Sequence, residues 1–304
     1  MLKFYVPDFG SARSSSRLRA SIPAEKYGKV ITNISDICQD DVIVFSKKSS
    51  IPEIQYVVDR GIKFIFDICD DQFEDPVYAK LFSYACSNCD LITVPSRKMK
   101  ELAEKKTNKN AFITSDPSER ERKIPSFSPS DKVRILFFGC VDNFNTVPWQ
   151  DIVNKLTENN INFKIDAIIN YQHLYNINTH FFETHEWSFE KHTNLLNNCD
   201  LVFLPFKDNQ KNISTKSPNR VVESLNAGKF VVTNHGVDSY NILKDFIFLD
   251  EYDRLVDGIL WALKNQDAVI EKITEGQKFL DKNYSIESVA NTWKQAHDLV
   301  KGKQ

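Results

Sequence analysis

The sequence lacks several features that would assign a protein to a class at once. It has no apolar run near the ~20 residues that a membrane-spanning helix requires. Its charges nearly cancel, with 39 Lys and Arg against 41 Asp and Glu. This balance excludes a broad nucleic-acid footprint and leaves room only for a local basic patch. No solenoid-type repeat or long low-complexity segment is present.

Cysteine usage and the first residues exclude further classes. Among the six cysteines only Cys86 and Cys89 form a tight pair, and no second pair stands at zinc-site spacing. We expect reduced structural thiols rather than a disulfide scaffold or a metal site. The opening MLKFYVP lacks the basic segment and long apolar stretch of a secretory signal. The sequence therefore predicts a cytoplasmic protein.

What is present is an alternation of short strands and helices. Short runs rich in Val, Ile and Phe alternate with helix-like stretches along most of the 304 residues, which predicts the α/β class with parallel sheets covered on both faces. The Pro- and Ser-rich segment 115–131 interrupts this pattern. We predict a first domain at 1–116, a linker at 117–131, a second domain at 132–280 and a C-terminal helix at 281–304. Two such domains would form a ligand cleft between their strand ends.

The most informative segment is 216–232, KSPNRVVESLNAGKFVV. It predicts a helix with Ser217 as its N-cap and Pro218 at the first helical position. The start of a helix presents free N–H groups and the positive end of the dipole. Lys216 just before it and Arg220 in its first turn add positive charge, so the pattern indicates a phosphate site. An ordinary capped helix with a solvated charged face is the alternative.

The same helix carries Glu223, one turn beyond Asn219 on the same face. A carboxylate there would point toward whatever the helix end holds, and it is suited to accept hydrogen bonds from ribose hydroxyls. This segment resembles the donor-binding segment of GT-B glycosyltransferases of the group 1 (retaining, family 4-like) type. In that family a Lys or Arg, an Asn-Lys/Arg pair, a Glu and an Ala-x-Gly-x-x-Val-Val ending recur together. Three more stretches resemble the family in matching order: Ser11–Pro23, Asn88–Ser96 and Glu186–Pro205.

The resemblance implies two doubly wound, Rossmann-like domains facing a cleft, with the C-terminal helix crossing back onto the first domain. It implies a nucleotide-diphosphate sugar as the donor substrate and no metal or other cofactor. The implied donor-binding residues are Gly139, Lys216, Ser217, Asn219, Arg220 and Glu223, with Glu223 on the ribose. Many retaining members carry a second Glu eight residues before this one. Here that position is Thr215, so the stereochemical outcome stays open.

The first domain must supply the acceptor side. Asp67, Asp70 and Asp71 follow a β-rich run, which would place them at a strand end facing the cleft. Asp70 or Asp71 would act as the catalytic base that an inverting transferase needs. The alternatives are that they cap the following helix, bind an acceptor hydroxyl or, least favoured, bind Mg²⁺.

Basic residues are also expected at the cleft. Arg13, Arg17 and Arg19 follow the first strand, and Arg17 and Arg19 are predicted to contact donor phosphate or an anionic acceptor. A solvated basic face is the alternative. His235 follows the strand after the donor helix, and its turn faces the cleft in the family, so we expect it near the donor or the acceptor.

Together these features predict a glycosyltransferase that moves a sugar from a nucleotide-sugar donor to a hydroxyl of a saccharide, glycan or other acceptor. No nucleic-acid partner and no membrane span are expected. Two alternatives remain. A nucleotide-sugar epimerase of the same two-lobe shape would need acid and base groups on both sides of the sugar, and no convincing His/Glu set is present. A non-catalytic sugar-nucleotide-binding module is the second alternative, and the absence of the second Glu at Thr215 is its best support.

Overall fold

Twelve parallel-paired strands form the framework of the two lobes. The computed structural model describes residues 1–8, 14–170, 177–206 and 212–302. The strands of the first lobe are β1 Leu2–Tyr5, β2 Lys29–Ile31, β3 Val42–Ser46, β4 Lys63–Asp67, β5 Leu91–Val94 and β6 Ala111–Ile113. Those of the second lobe are β7 Val133–Gly139, β8 Phe163–Ile169, β9 Phe182–Glu186, β10 Leu201–Leu204, β11 Phe230–Asn234 and β12 Phe248–Asp250.

Helices connect most of the successive strands in both lobes. Those up to the linker are α1 Ser14–Ser16, α2 Ile22–Lys26, α3 Ile51–Val58, α4 Ala79–Asn88 and α5 Arg97–Thr107. Those after it are α6 Val141–Thr146, α7 Trp149–Glu158, α8 Phe189–Asn198, α9 Asn219–Asn226, α10 Leu255–Lys264, α11 Gln266–Asn283 and α12 Ile286–Lys301. A π-helical turn at Arg17–Ser21 joins α1 to α2, and 3₁₀ turns lie at Ile34–Asp36, Asp238–Phe246 and Tyr252–Arg254. None of the described helices combines the length and apolar character needed to span a bilayer.

The strand order of each sheet fixes where a ligand can bind. The first sheet runs β2-β1-β3-β4-β5-β6 and the second β12-β11-β10-β7-β8-β9, and all pairings between these strands are parallel. The order reverses between β1 and β3 in the first sheet and between β7 and β10 in the second. In open parallel sheets ligands bind beyond the carboxyl ends of the strands at this reversal. The predicted α/β fold of two doubly wound sheets is confirmed.

Helices cover both faces of the first sheet, which explains its continuous apolar strands. One face packs against side chains of α3, α4 and α5. The other packs against α2 and against Val289, Trp293 and Val300 of α12. The buried Trp293 ring meets Phe4 of β1 edge-on, with centroids 5.1 Å apart. The last helix thus returns to the first lobe, whereas α11 contributes Val269 and Ile273 to the core of the second lobe.

The segment between the sheets has no regular secondary structure, but it is anchored to the second lobe. Asn226 at the end of α9 donates through Nδ2 to the Arg120 carbonyl at 2.7 Å, and its own carbonyl accepts from the Lys123 amide at 3.0 Å. Gly228 has φ +72°, and a Cβ there would lie 2.5 Å from the Ile124 carbonyl oxygen. Glycine is therefore needed at this position both for the backbone conformation and for the close approach of the linker.

Candidate active site in the cleft

Arg220 lies at the strand reversal of the second sheet. Its Nη1 donates to the carbonyl of Phe138 in β7 at 3.3 Å, and its guanidinium lies 4.7 Å from the ring centroid of Phe206, which follows β10. A Cβ on Gly139 would stand 3.0 Å from the same Nη1. Gly139 therefore leaves room for the guanidinium beside the end of β7. The structure brings together Gly139 and Arg220, which were both predicted to bind the donor.

The N-terminus of α9 starts beside this arginine. The helix begins at Asn219, and Pro218 is its N-cap, with no side-chain hydrogen bond to the first N–H groups. The prediction of Ser217 as N-cap is wrong by one residue, because Pro218 has ψ 12° and so lies outside the helix. Ser217 is half-buried in the turn before it. The uncapped helix end keeps its donors available for an anion.

Lys216 reaches from this turn to the first lobe. Its Nζ lies 2.6 Å from Oδ1 of Asp70, which follows β4. The other carboxylate oxygen of Asp70 pairs with Nζ of Lys47 at the end of β3. Burial alone would raise the pKa of Asp70, but the two ammonium groups outweigh it and hold the pKa well below its usual range. A carboxylate so strongly held in its charged form is a weak base, so these ion pairs do not favour the predicted proton-accepting role.

The loop before α9 contacts the first lobe at two further points. Asn212 donates through Nδ2 to the backbone carbonyl of Asp71 at 2.7 Å, and Ser96 donates through Oγ to the Thr215 carbonyl at 2.8 Å. The buried Thr215 hydroxyl donates to the Asn212 carbonyl at 3.0 Å. Thr215 therefore shapes the loop. The base role of Asp71 stays a prediction.

Glu223 lies in a buried ion-pair cluster. It is 5% exposed, and its Oε2 accepts from Nε of the linker residue Arg120 at 2.9 Å. Arg120 also donates to Thr193 and, at 2.7 Å, to Nδ1 of His192. Burial and the neighbouring Glu119 raise the pKa of Glu223 to about 7, against the lowering effect of Arg120. The predicted ribose-binding residue is therefore engaged by the linker in this structure, and its role stays a prediction.

His192 supports the same cluster from α8. Burial and the two nearby arginines, Arg120 and Arg17, lower its pKa to about 3, so its ring is neutral and accepts at Nδ1. Its ring packs on Phe138, with centroids 4.3 Å apart. His192 Nε2 and Glu223 Oε1 are buried and have no hydrogen-bond partner within the part of the chain that the structure describes.

Arg17 joins the first lobe to this cluster. Its Nε and Nη2 donate to the two carboxylate oxygens of Glu119, at 2.9 and 2.8 Å. Its guanidinium lies 5.6 Å from the ring centroids of both Trp187 and Phe189. Arg17 therefore stands at the contact between the lobes, where its predicted contact to a substrate anion stays a prediction.

Arg19 has a different environment. It is 4% exposed, and its five N–H groups all donate to protein acceptors: both oxygens of Asp67, the carbonyl and hydroxyl oxygens of Thr114, and Oδ1 of Asp116. Burial alone would lower its pKa, but the carboxylates reverse this and raise it. Because every guanidinium N–H donates to a protein acceptor, Arg19 has a structural role: it links the end of β4 to the start of the linker.

The remaining predicted residues lie at the edges of the site. His235 is exposed in the turn after β11, and Asn219 is half-buried in the first turn of α9. Arg13 falls outside the described residues. The polar residues after Gly139, Asp142 and Asn143, belong to the short helix α6. Nothing in the sequence indicates this helix, because packing of Phe144 against Phe137 and Trp149 outweighs the low helix propensity of the polar residues.

Two residues of the site were not predicted from the sequence, Lys47 and Arg120. Lys47 directly follows a buried strand, the same position that pointed to the aspartates after β4, so a signal for it existed. Arg120 carried no such signal, because nothing in a Ser- and Pro-rich linker predicts a buried arginine.

Away from the cleft, Asp166, Glu183 and His185 approach one another, but the Lys164 ammonium lies 2.5 Å from Glu183 and supplies the positive charge there.

No protein-family model matches the sequence, and no curated protein matches it. Solved structures do match. HepE from Anabaena, solved in complex with UDP-glucose, superposes with a TM-score of 0.70 at 11% identity, over 97% of this chain and 98% of HepE. This chain has the GT-B fold. The pneumococcal O-GlcNAc transferase GtfA, solved with UDP and GlcNAc, gives a TM-score of 0.64 at 8% identity over 88% of this chain.

The GtfA/B complex gives a TM-score of 0.60 at 13% identity, again over 88% of this chain. The chain spans only 58% of GtfA and 59% of the GtfA/B chain, whereas it covers HepE almost completely. At these identities the likeness concerns the fold.

Proposed function

We propose that the protein is a glycosyltransferase that moves a sugar from a nucleotide-diphosphate sugar to a hydroxyl group of a saccharide or other acceptor. The observation that carries this proposal is the candidate anion-binding site at the strand reversal of the second sheet. There Arg220 lies beside the backbone of Gly139, in the first turn of the uncapped helix α9, and Lys216 precedes that helix by three residues. Backbone N–H groups, a helix dipole and two cations suit a diphosphate.

The chemistry follows from the same groups. Cleavage of the sugar–phosphate bond leaves negative charge on the departing diphosphate, and cations placed there stabilise the transition state more than the ground state. Glu223 Oε1 lacks a partner among the described residues but is buried beside the linker, so it would accept from a ribose hydroxyl once the Arg120 contact opens. The structural likeness to proteins solved with UDP-glucose and with UDP makes a UDP-sugar the first donor to test.

We further propose that transfer needs no metal ion, since Lys216 and Arg220 supply positive charge at the leaving group. Activity in the presence of EDTA should equal that in its absence, and a loss restored by Mg²⁺ would contradict this.

The six free cysteines support our proposal of a cytoplasmic enzyme, because unpaired thiols are typical of a reducing compartment.

The test is UDP release from UDP-glucose and UDP-GlcNAc in the presence of pooled saccharide acceptors. We expect release that depends on the acceptor and falls at least about tenfold in Lys216→Met, the order of one hydrogen bond to a charged group. Lys278→Met is the matched control, because among the described residues the one ion pair of this exposed lysine of α11 is with Glu275 at 2.6 Å. Equal rates in the two variants would contradict the proposed site. A changed free donor sugar without a glycosidic product would indicate an epimerase instead.

A further inference from the structure

A three-membered ion bridge crosses the cleft between the lobes. Asp70 accepts from Lys216 of the second lobe with one carboxylate oxygen and from Lys47 of the first lobe with the other. Lys47 is the first lobe's cation at this site and is not among the residues that the sequence resemblance assigns to the donor. The three side chains are 18% (Lys47), 26% (Asp70) and 42% (Lys216) exposed, so a ligand that enters the cleft can reach them.

The position of Lys47 mirrors that of the donor-site cations. It directly follows β3, and β3 and β1 flank the strand reversal of the first sheet. Lys216 precedes α9, whose Arg220 lies at the reversal of the second sheet. The bridge therefore joins the two points at which sheets of this topology bind ligands.

The charges of the bridge do not balance. Two ammonium groups share one carboxylate, which leaves one net positive charge. Among the described residues, Arg220 forms no ion pair with a carboxylate and adds a second. The neighbouring Lys48 differs, because it has a carboxylate of its own, with Nζ 3.1 Å from Oδ2 of Asp8. An excess of positive charge in a cleft attracts an anion that can pair with several cations at once.

We propose that Lys47 and Lys216 form a two-lobe clamp for a phosphate group, and that Asp70 lies between them until this phosphate takes its place. The proposal rests on the proposed function and adds the first lobe's contribution to substrate binding. The phosphate belongs either to the donor diphosphate or to a phosphorylated acceptor. A carboxylate beside a bound phosphate would repel it, so Asp70 must turn away as the anion enters.

The test measures binding of inorganic pyrophosphate, UDP and glucose 6-phosphate by calorimetry. Lys47→Met should weaken pyrophosphate binding about tenfold, the order of one hydrogen bond to a charged group, and Lys47→Arg should restore most of it. Asp70→Asn should strengthen binding several-fold, because the competing negative charge is gone. Lys48→Met is the matched control at the same strand end and should leave pyrophosphate affinity unchanged.

The other two ligands identify the source of the phosphate. If Lys47→Met weakens UDP but not glucose 6-phosphate, the clamp holds the donor; the reverse result assigns it to a phosphorylated acceptor. Unchanged affinity for all three ligands in Lys47→Met overturns the clamp, as does weaker pyrophosphate binding in Asp70→Asn. Failure of the proposed function is separate, since it would appear as wild-type protein that neither binds UDP nor transfers sugar.

Discussion

Two sets of ion pairs form around aspartates at or just after the end of β4, and they look alike in the sequence but differ in the structure. Arg19 with Asp67 and Asp116 is buried, and every guanidinium N–H has a protein acceptor. Lys216 with Asp70 and Lys47 is partly exposed and carries more positive than negative charge. The first set holds the chain together, and the second remains open to a ligand. Burial and saturation of donors, rather than residue type, separate a structural ion pair from a binding group.

The largest effect should come from breaking the buried set. Arg19→Met leaves Asp67 and Asp116 buried without their cation, and we expect it to lower the free energy of unfolding by about 3–5 kcal/mol. Urea unfolding monitored by circular dichroism measures this. Arg19→Lys should recover only part of the loss, because one ammonium cannot reach all the acceptors of the guanidinium. A loss under about 1 kcal/mol would show that the network is not saturated as described.

The buried cluster around Glu223 should make the stability of the protein depend on pH. The pKa of Glu223 is raised from 4.5 to about 7 in the folded protein, so folding favours the protonated form. Its stabilisation is complete below pH 4.5 and is lost as the pH rises through about 7. Relative to Glu223→Gln, which cannot ionise, wild-type protein should lose roughly 1–3 kcal/mol of stability between pH 5 and pH 8. Parallel stability curves for the two proteins would contradict a buried, proton-binding Glu223.

Gly139 sharpens the comparison on the binding side. In Gly139→Ala the added methyl group would stand 3.0 Å from Arg220 Nη1 and displace the guanidinium. We expect UDP affinity to fall about tenfold, the order of one charge-assisted hydrogen bond. Adding Gly139→Ala to Arg220→Ala should cause no further loss, since both changes act through one group. Additive losses in calorimetry would separate the two residues.

The smallest effect on stability should come from the open set. Lys216→Met removes one partner of a partly exposed ion pair, and we expect the free energy of unfolding to change by at most about 1 kcal/mol. The same urea titration measures it alongside Arg19→Met. A loss as large as that of Arg19→Met would make Lys216 a structural residue rather than a ligand group.

Much of the fold could be predicted from the sequence. The alternation of apolar runs and helix-like stretches predicted the α/β class, because buried parallel strands such as Lys63–Asp67 and Val133–Gly139 leave continuous apolar runs between polar turns. The segment of α9 could also be predicted, since Pro218 and Gly228 mark its two ends. The N-cap and α6 could not, because local packing decided them.

Individual residues of the candidate site could be predicted from the sequence, but the contacts between them could not. The strand-end position identified Asp70 and the helix start identified Lys216, but their pairing depends on how the two lobes meet, which no local pattern encodes. The same holds for Arg120, whose linker sequence gives no indication that it reaches Glu223. Arg17 and Arg19 stand two residues apart and were indistinguishable in the sequence. Only the three-dimensional arrangement shows that Arg19 is a buried structural residue and that Arg17 lies at the contact between the lobes.

The most direct test of the account is a crystal structure of the protein with UDP. The account predicts the diphosphate at the N-terminus of α9, in contact with Arg220 and beside Gly139, with Lys216 moved from Asp70 to the phosphate. A diphosphate bound elsewhere, or one bound here with the Lys216–Asp70 ion pair intact, would contradict it.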